Sequence, residues 1–294
     1  MEYTIDIEGL EKSHGTKFKL GPMDLRVPTG SIYGLIGPNG AGKTTTIDLM
    51  MNMGREDAGD IRVFGKHHRE DVVAVKQEIG YVSPDLNFDA WGKVRRLLAY
   101  VRKFYSNWDD AYCAELLDKL DLKPSDKIKT LSFGGKIKLG LVVALAHRPK
   151  LLLLDEPTIG LDAVSKQQIF SELLAAVRDS DRTVLISSHG LADLERFADR
   201  IGFIRDGRLL LEGATDEVVQ RYCRRDYSFT GSAPSGREGF IVQQVEAGRV
   251  RAVVDQDAEL AEWISRSGLT EIAKAPMTLE ELFIALAKEE NGDG

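Results

Sequence analysis

The segment GPNGAGKTT at residues 37–45 constrains the fold of this chain more than any other part of the sequence. It matches the pattern GxxxxGK[ST], and it stands between a dense apolar run at 32–36 and a helical stretch that begins near Gly42. Glycines in such a loop let backbone N–H groups surround a phosphate, and the helix N-terminus adds partial positive charge. The segment therefore predicts a nucleoside triphosphate site made of Gly37, Pro38, Asn39, Gly40, Ala41, Gly42, Lys43, Thr44 and Thr45.

Two side chains of this loop and two later carboxylates predict the chemistry of the site. We expect Lys43 to reach the β and γ phosphates and the Thr44 hydroxyl to face Mg²⁺. The continuous apolar run at 151–154 has the pattern of a buried parallel strand, which would deliver the following carboxylates to the same sheet edge. Asp155 is then expected to hold Mg²⁺ through water, and Glu156 to act as the general base on the attacking water. The alternative for both carboxylates is a plain strand end.

The rest of the chain alternates strand and helix patterns and ends in a smaller α+β part. Alternating apolar and polar residues predict strands at 3–8 and 18–27, and helical spacing dominates between residues 88 and 122. Asp206 and Gly207 lie between two apolar runs, which predicts a two-residue β-hairpin. This order favours an α/β fold with a parallel sheet, followed by a small α+β domain.

The composition excludes several classes of protein. Of 294 residues, 39 are basic and 46 acidic, and the net charge of −7 argues against nucleic acid as a partner. The longest apolar stretches fall far short of the roughly 20 residues that cross a bilayer, and the N-terminal MEYTIDIE lacks the features of a secretory signal. Cys113 and Cys223 are too few and too far apart for a disulfide framework or a zinc cluster. We therefore expect a cytoplasmic protein with reduced thiols.

Four segments occur in an order and spacing that resemble the ATP-binding cassette (ABC) family. They are GPNGAGKTT at 37–45, LLLLDEP at 151–157, TIGLD at 158–162 and SSH at 187–189. The resemblance covers roughly residues 1–222 and implies an α/β P-loop NTPase fold with a RecA-like core and an antiparallel N-terminal sheet. It also implies a helical insert near 86–146, and it leaves 223–294 as a small α+β C-terminal domain.

The same resemblance implies roles for residues outside the phosphate loop. His189 is implied to be the switch histidine that contacts the γ-phosphate, and Asp162 to lie at a dimer interface. LSFGG at 131–135 occupies the signature position that the family normally writes LSGGQ. The implied ligands for the γ-phosphate of an ATP held by a second subunit are Ser132, Gly134 and Gly135. Phe133 replaces the first signature glycine, which predicts slower or retuned hydrolysis; a serine-capped helix start without a ligand is the alternative.

Two further positions depart from the family pattern. The loop after the GYV strand reads Ser83, Pro84, Asp85 where the family usually carries glutamine, so we expect Asp85 to contact Mg²⁺ or its waters. A turn formed by Pro84 and Asp85 is the alternative. His14 stands where an aromatic residue normally stacks on adenine, and we expect its imidazole to stack there more weakly. Phe18 is a possible substitute, and a loop histidine without a ligand is the remaining alternative.

The predicted helical insert is rich in aromatic residues, which are Phe88, Trp91, Tyr100, Phe104, Tyr105, Trp108 and Tyr112. Core packing is expected to account for about half of them, and the others to line a groove for a partner helix. In the ABC family that groove accepts a cytoplasmic helix of a membrane subunit. FYSNWD at 104–109, with the altered signature and the acidic loop, resembles the small bacterial ABC-2-type exporters linked to peptide antibiotics and cell-envelope stress.

The resulting hypothesis is an ATP-hydrolysing subunit of a bacterial ABC exporter. It is expected to bind ATP and Mg²⁺, to pair with a second ATPase subunit that is identical or different, and to power transport through a separate membrane-spanning permease. That permease would hold it at the inner face of the cell membrane. Two alternatives stay open: a soluble ABC ATPase with an assembly or remodelling role, and a nonhydrolysing interaction protein, which Phe133 and Asp85 suggest.

Overall fold

The structure, a computed structural model, describes residues 2–15, 18–178, 182–190, 194–237, 239–256 and 258–289. The chain divides into two compact units, Met1–Gly190 with Phe197–Leu211, and Leu191–Arg196 with Glu212–Gly294. The second unit thus begins its main segment at Glu212, before the boundary at residue 222 that the resemblance implies for the ATP-binding domain. That functional boundary stays a prediction.

Two sheets and a set of helices build the first unit. Its strands are β1 (Tyr3–His14), β2 (Phe18–Pro28), β3 (Ile32–Ile36), β4 (Ala58–Val63), β5 (Lys66–His67), β6 (Ile79–Val82), β7 (Leu151–Asp155), β8 (Thr183–Ser188), β9 (Arg200–Arg205) and the first part of β10 (Arg208–Ala214), which continues past Leu211 into the second unit. Its helices are α1 (Lys43–Met50), α2 (Val72–Gln77), α3 (Val94–Val101), α4 (Asp110–Lys119), α5 (Phe133–Leu145) and α6 (Ala163–Arg178).

The N-terminal sheet is antiparallel, with the strand order β2-β1-β4-β5. Its inward residues, such as Ile5 and Leu25, join one buried core with Leu35 of β3 and Leu153 of β7. The alternation of apolar and polar residues in β1 and β2 therefore places one face of this sheet on the core. The predicted antiparallel N-terminal sheet is confirmed.

The second sheet has the order β10-β9-β3-β8-β7-β6, and the pairs β9/β3, β3/β8, β8/β7 and β7/β6 are parallel. Every residue of β3, β7 and β8 is buried, as continuous apolar runs predict for central parallel strands. Asp206 and Gly207 join β9 to β10 with φ values of 47° and 76°, which suits a two-residue type I′ turn. The predicted hairpin thus forms the sheet edge.

The segment between β6 and β7 is helical, as predicted, and contains α3, α4, α5 and three short 3₁₀ turns. None of its seven aromatic residues is fully buried, and five are partly buried, which are Phe88, Trp91, Tyr105, Trp108 and Tyr112. The expectation that core packing accounts for about half of them stays a prediction. Aliphatic side chains fill the interior instead, including Val94, Leu97, Leu116 and Leu117. Tyr100 and Phe104 are 43% and 56% exposed.

The second unit carries an antiparallel sheet of its own with the order β12-β13-β11-β14. Its elements are α7 (Thr215–Arg221), β11 (Tyr222–Ser228), β12 (Phe240–Glu246), β13 (Arg249–Asp255), α8 (Ala261–Arg266), β14 (Thr270–Pro276) and α9 (Leu279–Glu289). A separate apolar core around Cys223, Tyr227 and Phe240 fits the predicted small α+β domain. Among the described helices of the whole chain, none combines the length and apolar character needed to cross a membrane.

Candidate nucleotide site

The phosphate loop lies between β3 and α1 and is fixed by its neighbours in the sheet. The Gly37 N–H donates to the Ser188 carbonyl at 3.1 Å, and the Gly207 N–H donates to the Ala41 carbonyl at 3.1 Å. A Cβ on Gly37 would lie 2.1 Å from the Ile204 carbonyl oxygen, so only glycine allows this approach. Strands β8 and β9 and the β9–β10 turn therefore hold the loop in place.

Lys43 begins α1, and its side chain is only 5% exposed. Its Nζ donates to the carbonyl oxygens of Gly37 at 2.7 Å and Pro38 at 3.1 Å. The same Nζ lies 3.1 Å from Oε1 of Glu156. The loop thus curls around its own lysine, and this ammonium is the main positive charge within it.

Asp155 ends β7 and accepts hydrogen bonds from two hydroxyl groups. Thr44 Oγ1 donates to Asp155 Oδ2 at 2.7 Å, and Ser187 Oγ donates to Asp155 Oδ1 at 2.5 Å. Ser187 Oγ also accepts the Glu156 N–H at 3.0 Å. The parallel register of β7 and β8 pairs Asp155 with Ser187, which explains why these groups meet.

Ser187 is a site residue that the sequence did not predict. It belongs to the segment SSH at 187–189, in which only His189 was expected to have a role. The available signal was that Ser187 lies next to the end of β8, the strand beside β7, at the same sheet edge. Its hydroxyl orients both the side chain of Asp155 and the backbone of Glu156. Ser187 is therefore a positioning residue for both carboxylates.

Glu156 follows β7 with a φ of 45°, an uncommon value for a residue with a side chain. Its carboxylate, 13% exposed, lies between two basic groups. Oε1 lies 3.1 Å from Lys43 Nζ, and Oε2 lies 2.7 Å from Nδ1 of His189. The structure thus brings together Lys43, Asp155, Glu156 and His189, which belong to three distant parts of the chain.

An open cleft of about 570 Å³ adjoins the phosphate loop. Its lining includes Lys43, Thr44, Thr45 and Glu156, together with Asn39, Gly40 and Gly42 of the loop. His14 and Phe18 line the cleft as well, with ring centroids 6.3 Å apart and ring planes inclined by 27°. Both sequence candidates for a ring that stacks on a base therefore lie beside the phosphate loop.

Comparison with known proteins assigns the family. Residues 20–159 match the family model described as ABC transporter. The chain is 33% identical to the ABC transporter ATP-binding protein YtrB of Bacillus subtilis (strain 168) over 287 residues, which are 96% of this chain and 97% of that protein. This protein belongs to the ABC transporter ATP-binding family. The resemblance that the sequence motifs carried is confirmed.

Two further similarities are informative. The bacitracin transport ATP-binding protein BcrA of Enterococcus faecalis is 33% identical over 223 residues, 75% of this chain and 72% of that protein. A solved ATP-binding subunit of an ABC transporter superposes with a TM-score of 0.66 at 23% identity, over 74% of this chain and 92% of that one. That superposition shows the P-loop NTPase fold. The chain is thus an ATP-binding subunit and ATPase of the ABC transporter type.

The ABC signature segment lies outside the cleft. Ser132 caps α5, and its Oγ accepts the Gly135 N–H at 3.1 Å. Phe133 is 46% exposed, and its ring atoms lie 3.7 Å from the point where a Cβ on Gly160 would stand. The Phe133 side chain therefore lies beside the TIGLD segment of its own chain, and Ser132, Gly134 and Gly135 do not line the cleft that contains Lys43.

Asp162 of the TIGLD segment caps the next helix. It accepts the Ser165 N–H at 2.9 Å and the Ser165 hydroxyl at 2.8 Å. The backbone hydrogen bond from Ser165 is the main reason why the pKa of Asp162 is lowered. The side chain is exposed, so the dimer contact implied for Asp162 stays a prediction.

Asp85 lies on the loop after β6, and its N–H donates to Ser83 Oγ at 3.3 Å. Burial raises the pKa of Asp48, with smaller contributions from the negative charges of Asp155 and Asp85. Besides burial, the negative charges of Asp85 and Asp155 both raise the pKa of Asp48, so Asp85 lies near the same group of carboxylates as Asp155. Gln77 does not replace it, because its side chain donates to the Phe104 carbonyl at 3.0 Å in the helical segment.

The oxygen atoms beside the phosphate loop fit a magnesium ion. Thr44 and Asp155 offer a hydroxyl and a carboxylate whose oxygens are 2.7 Å apart, and Mg²⁺ in phosphate sites commonly takes few protein ligands beside phosphates and water. Within the described ranges, no three His, Cys, Asp or Glu side chains group closely enough to hold a metal alone. Asp85 as a metal ligand stays a prediction.

Proposed function

We propose that this ATPase works as a pair of chains that hydrolyse ATP between them and power export through a separate membrane-spanning partner. The observation that carries the hydrolytic part is the convergence of Lys43, Asp155, Glu156 and His189 at one sheet edge. The lysine would bind phosphate oxygens; Glu156 stands next to it, and Asp155, the preceding residue, is hydrogen-bonded to Thr44. This arrangement matches what phosphoryl transfer to water needs.

Glu156 is the general base in this proposal. Its carboxylate accepts a proton from water as the water oxygen bonds to the γ-phosphorus, and the bond from that phosphorus to the bridging oxygen breaks. The products are ADP and inorganic phosphate. His189 holds the Glu156 carboxylate through the 2.7 Å contact, and Ser187 holds its backbone. Such positioning keeps the base near the attacking water.

Thr44 and Asp155 would hold Mg²⁺, and Asp85 would adjust its hydration. The ion, when bound, neutralises charge that develops on the phosphate oxygens. Ser187 keeps the Asp155 carboxylate oriented through its 2.5 Å hydrogen bond. His14 and Phe18 would provide the face on which adenine stacks, because both line the cleft next to the phosphate loop.

The second chain would complete each site. The N-terminus of α5 carries Ser132, Gly134 and Gly135, and helix N-termini favour anions. These residues do not line the cleft of their own chain, so a γ-phosphate would reach them from a nucleotide on the partner. In such a pair the exposed Phe133 would lie at the interface between the chains, beside the second chain's nucleotide. A bulky ring at that place supports the prediction of slower or retuned hydrolysis.

The membrane partner would dock on the aromatic surface, which we define as Trp91, Tyr100 and Phe104. Ring centroids lie 4.1 Å apart for Trp91 and Tyr100 and 5.0 Å apart for Tyr100 and Phe104. Exposed aromatic side chains are common where one protein packs on another. Docking there would place the protein at the membrane.

The similarity to a bacitracin transport protein favours a peptide antibiotic as cargo.

The hydrolytic role of Glu156 is tested by Glu156→Gln, assayed by release of inorganic phosphate. We expect ATP to bind still and the rate to fall by roughly 10²–10⁴-fold, because water loses its base. Glu172→Gln is the matched control, since Glu172 is also 13% exposed and also ion-paired to a lysine, at 3.4 Å from Lys119. Near-normal turnover of Glu156→Gln would remove this residue from the base role and leave His189 as the candidate.

A further inference from the structure

The Lys43 ammonium already has three oxygen atoms of its own chain around it: two accept hydrogen bonds, and the third, Oε1 of Glu156, is buried, lacks a hydrogen-bond partner among the described residues and pairs with it through charge. An ammonium group has three N–H bonds. The carbonyl oxygens of Gly37 and Pro38 lie 2.7 and 3.1 Å from Nζ, and Oε1 of Glu156 lies 3.1 Å away. A phosphate oxygen that binds Lys43 would therefore compete with one of these three oxygen atoms for the ammonium.

Glu156 is the partner that can leave. The two carbonyl groups belong to the backbone of the loop that surrounds the lysine, so they can move away only if the loop changes its conformation. Glu156 contacts Lys43 through a side chain with rotatable bonds, and its other oxygen is held by His189 at 2.7 Å. A phosphate at Lys43 would also repel this carboxylate, because both are negative.

We infer that Glu156 has a second role: it competes with nucleotide phosphates for Lys43 and thereby sets the affinity of the site. Phosphate binding breaks the Lys43–Glu156 ion pair, and the same event frees Oε1 for the water that it must deprotonate. Nucleotide binding and exposure of the base are coupled through one contact. The inference rests on the proposed role of this site in ATP binding.

The test measures nucleotide affinity without hydrolysis. Dissociation constants for ADP are measured by calorimetry with EDTA present, so that neither Mg²⁺ nor turnover contributes, and light scattering confirms that the protein stays monomeric. We expect Glu156→Gln to bind ADP about tenfold more tightly than the natural protein, as loss of one charged competitor predicts. AMP, which lacks the β-phosphate, should show less than a twofold change.

Two further variants separate the contact from the general effect of negative charge. Glu156→Asp keeps the charge but is one methylene shorter, so we expect it to lose the 3.1 Å contact and to bind ADP as tightly as Glu156→Gln. Asp48→Asn removes one negative charge from the nearby acidic region without touching Lys43, and we expect less than a twofold change. Thermal melting of each variant confirms folding.

The outcomes are distinguishable. If Glu156→Gln leaves ADP affinity unchanged, or if Glu156→Asp keeps the natural affinity while Glu156→Gln tightens, the ion pair is not the competitor and the inference is overturned. An equal gain in Asp48→Asn would assign the effect to overall charge, which also overturns it. If the natural protein binds neither ADP nor ATP, the proposed function itself fails, whatever the variants do.

Discussion

At the scale of single residues, Ser187 determines how the two acidic side chains of the site are held. Its hydroxyl donates to Asp155 at 2.5 Å and accepts the Glu156 N–H at 3.0 Å, and its side chain is completely buried. Both partners depend on the same oxygen atom. A change at Ser187 should therefore affect catalysis without removing any catalytic group.

We predict that Ser187→Ala lowers the ATPase rate by about 10- to 100-fold while ATP affinity changes little. Loss of a buried hydrogen bond to a charged group costs about 1.5–3 kcal/mol, and the affected groups are Asp155 and the backbone of Glu156 rather than Lys43. Phosphate release and ATP titration measure the two effects. Ser188→Ala is the control, because the Ser188 hydroxyl bonds only to Gly190 among the contacts described. An unchanged rate in Ser187→Ala would show that the carboxylates hold their places without it.

The residue scale also shows what the sequence could and could not predict. The phosphate loop, Asp155 and Glu156 follow from a motif whose spacing is set by the chemistry, so their meeting was predictable. The bond network through Ser187 depends on which strands are neighbours and on their register, and no single segment contains that information. The ion pair between Lys43 and Glu156 is likewise a contact between positions 43 and 156 that only the folded sheet creates.

At the scale of secondary-structure elements, the helical segment differs most from expectation. A cluster of aromatic residues in a helical stretch usually indicates core, yet here aliphatic residues on the inward faces of α3 and α4 fill that core. The aromatic surface is left outside. Helical periodicity identifies a face but does not say whether a ring at its margin is covered, so the sequence could not say which of the seven rings are partly buried and which are exposed.

We predict that the double change Tyr100→Ser and Phe104→Ser abolishes co-purification with the membrane partner from detergent-solubilised membranes. Exposed aromatic side chains supply the apolar contact area that such docking needs. Val73→Ser is the control, since Val73 is 72% exposed on α2, outside the aromatic surface. Retention of the partner by the double variant, with nucleotide binding intact, would exclude this surface as the docking site.

The junction between the helical segment and the sheet contains His147, which is 1% exposed. Its ring stacks on Tyr105 with centroids 3.9 Å apart, and its Nε2 lies 3.2 Å from the Ile79 carbonyl oxygen at the start of β6. Burial, with a smaller contribution from the charge of Arg182, lowers the pKa of His147 to about 4. The folded protein therefore keeps this histidine neutral at physiological pH.

We predict that acidification destabilises the protein through His147. Below about pH 6.5, His147 is protonated in the unfolded chain but stays neutral in the folded protein. The free energy of unfolding therefore falls by up to about 1.4 kcal/mol for each pH unit, until the pH approaches 4 and the folded protein also binds the proton. His147→Asn should show a smaller loss between pH 7 and pH 5 in urea unfolding. The control is His67→Asn, at a partly exposed histidine. An equal pH dependence in His147→Asn and the natural protein would contradict this assignment.

At the scale of the whole molecule, the proposal gives each chain one half of each of two ATP sites. Lys43 and Glu156 share the cleft, whereas Ser132 stands at the start of α5 and is absent from its lining. The order of the motifs predicted the family and the fold. It did not predict where the second compact unit begins, because the contacts that define Glu212–Gly294 as one unit are made by strands distant in sequence.

Complementation between two inactive variants tests the paired ATPase most directly. Lys43→Ala should disable the phosphate loop of its own chain, and Ser132→Arg places a bulky side chain at the start of α5, which in the proposed pair faces the other chain. Each variant alone should be inactive, and both should melt near the temperature of the natural protein. After random subunit exchange, about half of the dimers are mixed, with both lesions in one site and none in the other. We predict partial recovery of phosphate release in the mixture, and no recovery despite demonstrated exchange would contradict composite sites shared between two copies of this chain.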